Sequence, residues 1–134
     1  MLGLFNSTTL PALEQSVTFA QKRHNLLAGN IANMDTPGYR ARDLDVANFQ
    51  NALAESIQSA AETPPSGAIS PTTRDDLYSG PRDAMEQIVF HDGNDVSMET
   101  QVTEIAKNQH LHNMAITTMR SQFALMRAAI TERA

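Results

Sequence analysis

Asn30-Ile31-Ala32-Asn33-Met34-Asp35-Thr36-Pro37-Gly38-Tyr39-Arg40 is the stretch on which the fold turns. It closes a long amphipathic helix. Asn33 is expected as a left-handed cap, because its short polar side chain tolerates positive φ. Asp35 follows in the turn, and Thr36 precedes a proline, which pushes its backbone from helical to extended geometry. Pro37-Gly38 supplies a fixed φ followed by a residue free to take φ > 0, which predicts a type II turn. Tyr39 leaves that turn with a ring to pack and a hydroxyl to satisfy.

Working outward, Leu10, Leu13, Val17, Ala20, His24, Leu27 and Ile31 recur at spacings of three and four. The pattern predicts a helix over 10–34 with a heptad seam, preceded by a lead over 1–9 in which Ser7-Thr8-Thr9 offers an N-cap before Pro11. Gly29 costs a helix interior about 1 kcal/mol relative to alanine, which points to a close helix approach there. At the other end, Met98, Val102, Ile105, Gln109, His112, Ile116, Met119, Phe123, Met126 and Ile130 step by four and three. They predict a second helix over 97–134, with Asp95 or Ser97 as its cap.

Between the long helices, residues 35–96 read as the turn plus an irregular middle. Val46, Phe49, Leu53, Ile57 and Ala60 give a short helix, with Asp43 and Asp45 at its start favouring the helix dipole. Residues 62–83 hold four prolines and read as an irregular excursion. Ile88-Val89-Phe90 is β-prone, and the Asp92-Gly93 turn signal predicts a small hairpin. The expected fold is therefore mainly α, with long N- and C-terminal helices packed as an antiparallel coiled coil around that middle.

Antiparallel pairing sets Ile31 near Val102, Leu27 near Ile105, His24 near Gln109, Ala20 near His112, Val17 near Ile116, Leu13 near Met119 and Leu10 near Phe123. The polar exceptions, His24, Gln109 and His112, gather in one zone and predict a buried polar layer that fixes register. Phe19 and Leu26 lie off the first seam, and Leu111 and Leu125 off the second. In a two-helix hairpin these four face water, so they are expected to meet neighbouring subunits.

The totals exclude several classes. A chain of 134 residues allows one modest domain, and 5% aromatics with no tryptophan suits helix seams better than a sheet sandwich. A net charge of −5 without a basic cluster argues against a nucleic-acid partner. No apolar run approaches twenty residues, so no direct membrane insertion is expected. Met1-Leu2-Gly3-Leu4-Phe5 lacks the basic start and length of a signal peptide, so the chain is read as starting in the cytoplasm.

Chemistry is equally scarce. The absence of cysteine removes thiolate metal sites and disulfides. His110 and His112 stand two apart, which on a helix points them about 200° from each other, whereas zinc sites use i, i+4. Met98, Met119 and Met126 follow seam spacing and read as packing. Asp43 and Asp45 have no nucleophile or base placed with them. No catalytic, cofactor or metal site is expected, and the chain is read as no enzyme.

The run Asn33-Met34-Asp35-Thr36-Pro37-Gly38-Tyr39 resembles the N-terminal signature of bacterial flagellar axial proteins. Its continuation, Tyr39-Arg40-Ala41-Arg42-Asp43-Leu44-Asp45, resembles the proximal-rod (FlgB) type of basal-body subunit, although Val46 stands where that type tends to place an aromatic. The resemblance covers residues 10–45 well and the last forty or so more loosely. It implies a structural subunit of a tubular drive shaft that transmits torque, with paired terminal helices and no catalysis. It further implies export from the cytoplasm through the flagellar type III apparatus without signal cleavage. The partners it implies are other rod subunits and copies of itself, the adaptor joining rod to membrane ring, and the export gate. The alternative from the residues alone is a cytosolic helical-hairpin adaptor or chaperone that holds one partner helix.

Overall fold

The computed structural model describes residues 9–62, 77–90 and 97–132. Six elements follow in order: α1 (Leu10–Ala32), β1 (Arg42–Leu44), α2 (Val46–Glu62), α3 (Ser79–Asp83), β2 (Gln87–Val89) and α4 (Met98–Thr131). The long helices α1 and α4 pack antiparallel. Asn30 near the end of α1 bonds Gln101 near the start of α4, while Ala20 meets Asn108.

The ends of these helices follow local chemistry. Pro11 stands in the first turn of α1, where its missing N–H costs nothing. Thr9 occupies the cap position without a side-chain bond. Ser97 caps α4, its Oγ accepting from the Thr100 N–H at 3.2 Å; Asp95, the other candidate, lies outside the described residues. Asp45 caps α2 by accepting from the Asn48 N–H at 2.9 Å.

The turn after α1 forms as a type II turn. Tyr39 N–H donates to Thr36 O at 3.1 Å, and Gly38 sits at φ 76. Asn33 departs from expectation. It ends α1 at φ −110, not in the left-handed region, and its side-chain Nδ2 reaches back to the Gly29 carbonyl at 2.9 Å. The same carbonyl already accepts from the Asn33 backbone N–H at 3.1 Å, so the side chain adds a second bond to the last helical turn and the chain leaves α1 without a left-handed residue. Asp35, Thr36 and Pro37 are exposed at the tip.

The apolar core lies where α1 meets β1, α2 and the residues after α3. Phe19 stacks on Phe49 of α2, ring centroids 4.0 Å apart, and Leu44, Ala84 and Met85 close the cluster. Leu26, Val46, Ala52 and Leu53 pack against it. This corrects the reading of Phe19 as an outward residue: it is 5% exposed. Leu26 is half-buried on the same face.

The middle of the chain is more regular than its composition suggests. β2 pairs antiparallel with β1, Arg42 opposite Val89 and Leu44 opposite Gln87. The β-prone run thus finds its partner 45 or so residues upstream, not across a local hairpin; Asp92-Gly93 lies outside the described residues. At the end of the Pro-rich stretch, Pro81 is buried within α3, while residues 63–76 are outside the description.

Gly29 is not explained by helix approach. A Cβ there would meet the Tyr39 hydroxyl at 3.9 Å, an ordinary contact. Gly29→Ala is therefore expected to stabilise the chain by about 0.5–1 kcal/mol through helix propensity. Gly38→Ala, forced to φ 76, is expected to lose about 1–2 kcal/mol. Thermal melts followed by circular dichroism check both signs.

Candidate interaction site at the helix junction

The site grows from one buried amide. Asn30 is 1% exposed, and its side chain makes every bond an amide can make. Its Nδ2 donates to Arg42 O at 2.7 Å and to Gln101 Oε1 at 3.0 Å. Its Oδ1 accepts from Arg42 N–H at 3.0 Å and Tyr39 O–H at 3.1 Å. One side chain thus binds the strand after the turn, the turn's own tyrosine and the opposite long helix.

Seven residues upstream on the same helix face stands Arg23, 5% exposed. Its guanidinium forks onto Asp43, Nε to Oδ1 and Nη2 to Oδ2, each at 2.8 Å, and Nη2 also donates to Glu104 Oε2 at 2.7 Å. Asp43 therefore anchors β1 to α1 instead of serving the dipole of α2. The fork to Asp43 first, and the Glu104 bond next, hold Arg23 above its ordinary value against the opposing cost of burial. Glu104 is held below its ordinary value, by the Lys107 ammonium first and Arg23 second.

Asn108 is the third anchor. Its Nδ2 donates to Ala20 O at 2.7 Å, and its Oδ1 is buried without a partner among the described residues. Such an orphan acceptor costs about 1–3 kcal/mol.

These anchors correct the expected seam. On α4 the buried line falls one residue earlier than the hydrophobic count placed it, and on α1 Ala12, Arg23 and Asn30 are buried one residue before Leu13, His24 and Ile31 while Ala20 and Leu27 keep their places. Gln101, Asn108 and Ala115 are buried on α4, with Ala12, Gln15, Ala20, Arg23, Leu27 and Asn30 on α1. Of the expected seam, Ala20 and Leu27 are buried, and Leu10, Leu13, Val17, Ile31, Ile105, His112, Ile116, Met119 and Met126 are half-buried. His24, Val102, Gln109 and Phe123 are exposed. The reason is that α1 must also bury Phe19 and Leu26 against the core, which rotates it away from the position that Leu10, Val17 and Ile31 suggested.

His24, Gln109 and His112 do come together, around an open polar cleft of about 310 Å³ whose walls include Asn108 and Gln21. The buried polar side chains are instead Arg23 and Asn108, one residue before His24 and Gln109. Leu111 lines a second, apolar cleft of about 200 Å³ between α1, α2 and α4, with Leu13, Phe19, Phe49, Leu53 and Met114. Leu125 is 62% exposed. Among the described residues no group of three or more His, Cys, Asp or Glu is placed to hold a metal.

Arg23, Asn30 and the whole turn fall within residues 18–40, which match the family described as flagella basal body rod protein. The chain is also 32% identical over 120 residues to the flagellar basal body rod protein FlgB of Salmonella typhimurium, covering 81% of this chain and 83% of that one. The chain belongs to the FlgB-type flagellar rod proteins. Escherichia coli FlgB is 31% identical over 81% of this chain and 83% of its own length. Bacillus subtilis FlgB is 29% identical over 97% of this chain and 98% of its own length. FlgB-type proteins are structural rod subunits of the basal body, and no enzyme is expected of them. The cytosolic adaptor reading is not favoured. In the FlgB-type chain described here, no described helix is long and apolar enough to cross a membrane.

Two expectations follow from the anchors. Asn30→Leu strands four partners in a dry site and is expected to cost about 2–4 kcal/mol by urea denaturation, with Asn30→Asp no better, because a carboxylate would face Arg42 O and Gln101 Oε1. His24→Leu, on an exposed side chain, is expected within about 0.5 kcal/mol of the wild type. The pH dependence has a definite sign. Because Glu104 is depressed in the fold, its contribution is complete above its unfolded value near 4.5 and is lost as pH falls through the lower folded value. Urea midpoints taken from pH 5.5 down to about 3 should therefore fall less steeply in Glu104→Gln than in the wild type.

Proposed function

We propose that this chain is built into the proximal rod as one subunit of a tubular shaft that transmits torque. Its neighbours are other rod subunits and copies of itself, the adaptor that joins rod to membrane ring, and the export gate beneath. It reaches them by type III export from the cytoplasm without a cleaved signal peptide. The Asn33–Tyr39 turn sets the direction in which the middle of the chain leaves the long helices.

The observation that carries this reading is the surface of α4. Leu111, Met114, Phe123, Leu125 and Ile130 are all 40% exposed or more. Each such side chain left in water forgoes roughly 1.5–3 kcal/mol of burial. From the Asn30–Gln101 and Ala20–Asn108 contacts, Leu10 falls opposite about residue 120, since both helices rise equally per residue. α4 runs on to Thr131, and this overhang carries Phe123, Leu125 and Ile130. These side chains lie on two faces, Leu111, Met114 and Leu125 on one and Phe123 and Ile130 on another, and a shaft of packed helices covers both by lateral contact between subunits.

Leu125→Asp tests the reading. The purified variant is expected to melt with the wild type, because residue 125 lies in solvent. Its amount in isolated basal bodies, quantified by mass spectrometry, is expected to fall by about tenfold or more, the effect of burying an unpaired carboxylate. Wild-type occupancy by the variant would remove the Leu111–Met114–Leu125 face as a subunit contact.

A further inference from the structure

Among the described residues, the two-stranded sheet is filled along most of one edge and open along the other. Phe90 N–H donates to Ala41 O at 3.0 Å. In an antiparallel ladder hydrogen-bonded pairs alternate with unbonded ones, so Ala41–Phe90 and Asp43–Ile88 bond while Arg42–Val89 and Leu44–Gln87 turn their backbone groups outward. On the β1 side three of those four groups are taken. Asn30 binds both the N–H and the C=O of Arg42 as a neighbouring strand would, and Leu44 N–H donates to Asp43 Oδ1 at 2.7 Å.

On the β2 side, the outward N–H and C=O of Gln87 and Val89 have no partner among the described residues. All of β2 is exposed, with Ile88 at 44%, Val89 at 41% and Phe90 just beyond it at 46%. Gln87-Ile88-Val89-Phe90 carries no lysine, proline or other charge of the kind that guards a free edge. A ladder of only two strands is marginal by itself.

We propose that the outer edge of β2 is a strand-acceptor site. An extended segment from a different subunit of the shaft adds there as a third strand, bonding the backbone of Gln87 and Val89 and covering Ile88, Val89 and Phe90. The inference rests on the rod reading. Its occupant is uncharged and rich in β-branched or aromatic residues at alternate positions, the chemistry that matches an apolar edge. A second copy is the poorer occupant. With both Arg42 groups filled by Asn30, the edge with paired free donors and acceptors that a copy offers among the described strands is its own β2. Two β2 edges pair about a two-fold and consume each other, which ends growth; a shaft extends by head-to-tail contacts.

Val89→Pro tests the site. It deletes the outward N–H and leaves the β1–β2 bonds alone, a position where an edge strand accepts proline. Val89→Thr keeps both the N–H and the branching. Both variants and the wild type are compared, at full length, in thermal melts, in sedimentation velocity, and in basal bodies from cells that lack their own copy of the protein. The expected result is a monomeric free chain, a Val89→Thr variant that incorporates normally, and Val89→Pro occupancy reduced by about tenfold or more.

Should Val89→Pro fail to fold, amide exchange at Gln87 and Val89 decides on the wild type: slow in basal bodies and fast in the free chain supports the site, fast in both overturns it. Equal occupancy of a folded Val89→Pro variant overturns this proposal and leaves the rod reading standing. A free wild-type dimer that Val89→Pro abolishes makes the occupant a second copy and overturns it too. Absence of the wild-type chain from basal bodies overturns the rod reading, and this proposal with it.

Discussion

The structure depends on the side-chain amide of Asn30. A buried amide in a helix is costly unless all its groups are met, and here two donors and two acceptor sites meet four partners with no room for a fifth. The partners come from three places that nothing else obliges to converge: the turn tyrosine, the strand that follows the turn, and a helix 71 positions away. Shifting α4 by one residue along α1 would remove Gln101 from reach. Changing the turn length would remove both Arg42 groups. The amide therefore specifies register in two directions at once, and Arg23, two turns up the same face, repeats the device with charges.

Polar anchors of this kind give alignment more than net stability, because the desolvation of Arg23, Asp43 and Asn108 offsets much of what their bonds return. The apolar contribution sits elsewhere. Phe19, Leu44, Phe49, Ala84 and Met85 cluster between α1, β1, α2 and the end of α3. From α4, the one apolar side chain that is fully buried is Ala115. The longest helix is thus positioned accurately by hydrogen bonds and ion pairs while most of its large side chains stay in solvent. A subunit that must present a defined surface to neighbours, and gain its remaining burial from them, needs this division of labour.

Hydrophobic spacing made the three long helices and the turn legible in the sequence. Val46, Phe49 and Leu53 marked α2, and Pro37-Gly38 marked the type II turn with its single positive φ. The buried face was not legible to the same degree. Periodicity counts apolar side chains, and the residues that seal α1 against α4 are Arg23, Asn30, Gln101, Asn108 and small alanines, which carry no apolar signal. Asn30 stood in the deciding stretch, yet its partners lie 9, 12 and 71 residues away, and no local pattern encodes them. Phe19 was misplaced for the complementary reason. It falls off the stripe that faces α4 because α1 has a second face to bury, against Phe49 of α2 and Leu44 of a strand too short to announce itself.

The same amide also decides what the sheet has left to offer. By occupying both backbone groups of Arg42, Asn30 stands in for a third strand on the β1 side, so the sheet is asymmetric before any neighbour arrives. Had those groups been free, the outward edges of β1 and β2 would be alternatives, and an incoming strand would have no preferred side. With Arg42 filled from within, the donors of the sheet that lack a partner among the described residues lie on the flank of β2 where Ile88, Val89 and Phe90 are exposed. The residue that aligns the subunit internally thereby fixes the direction in which its sheet can be extended.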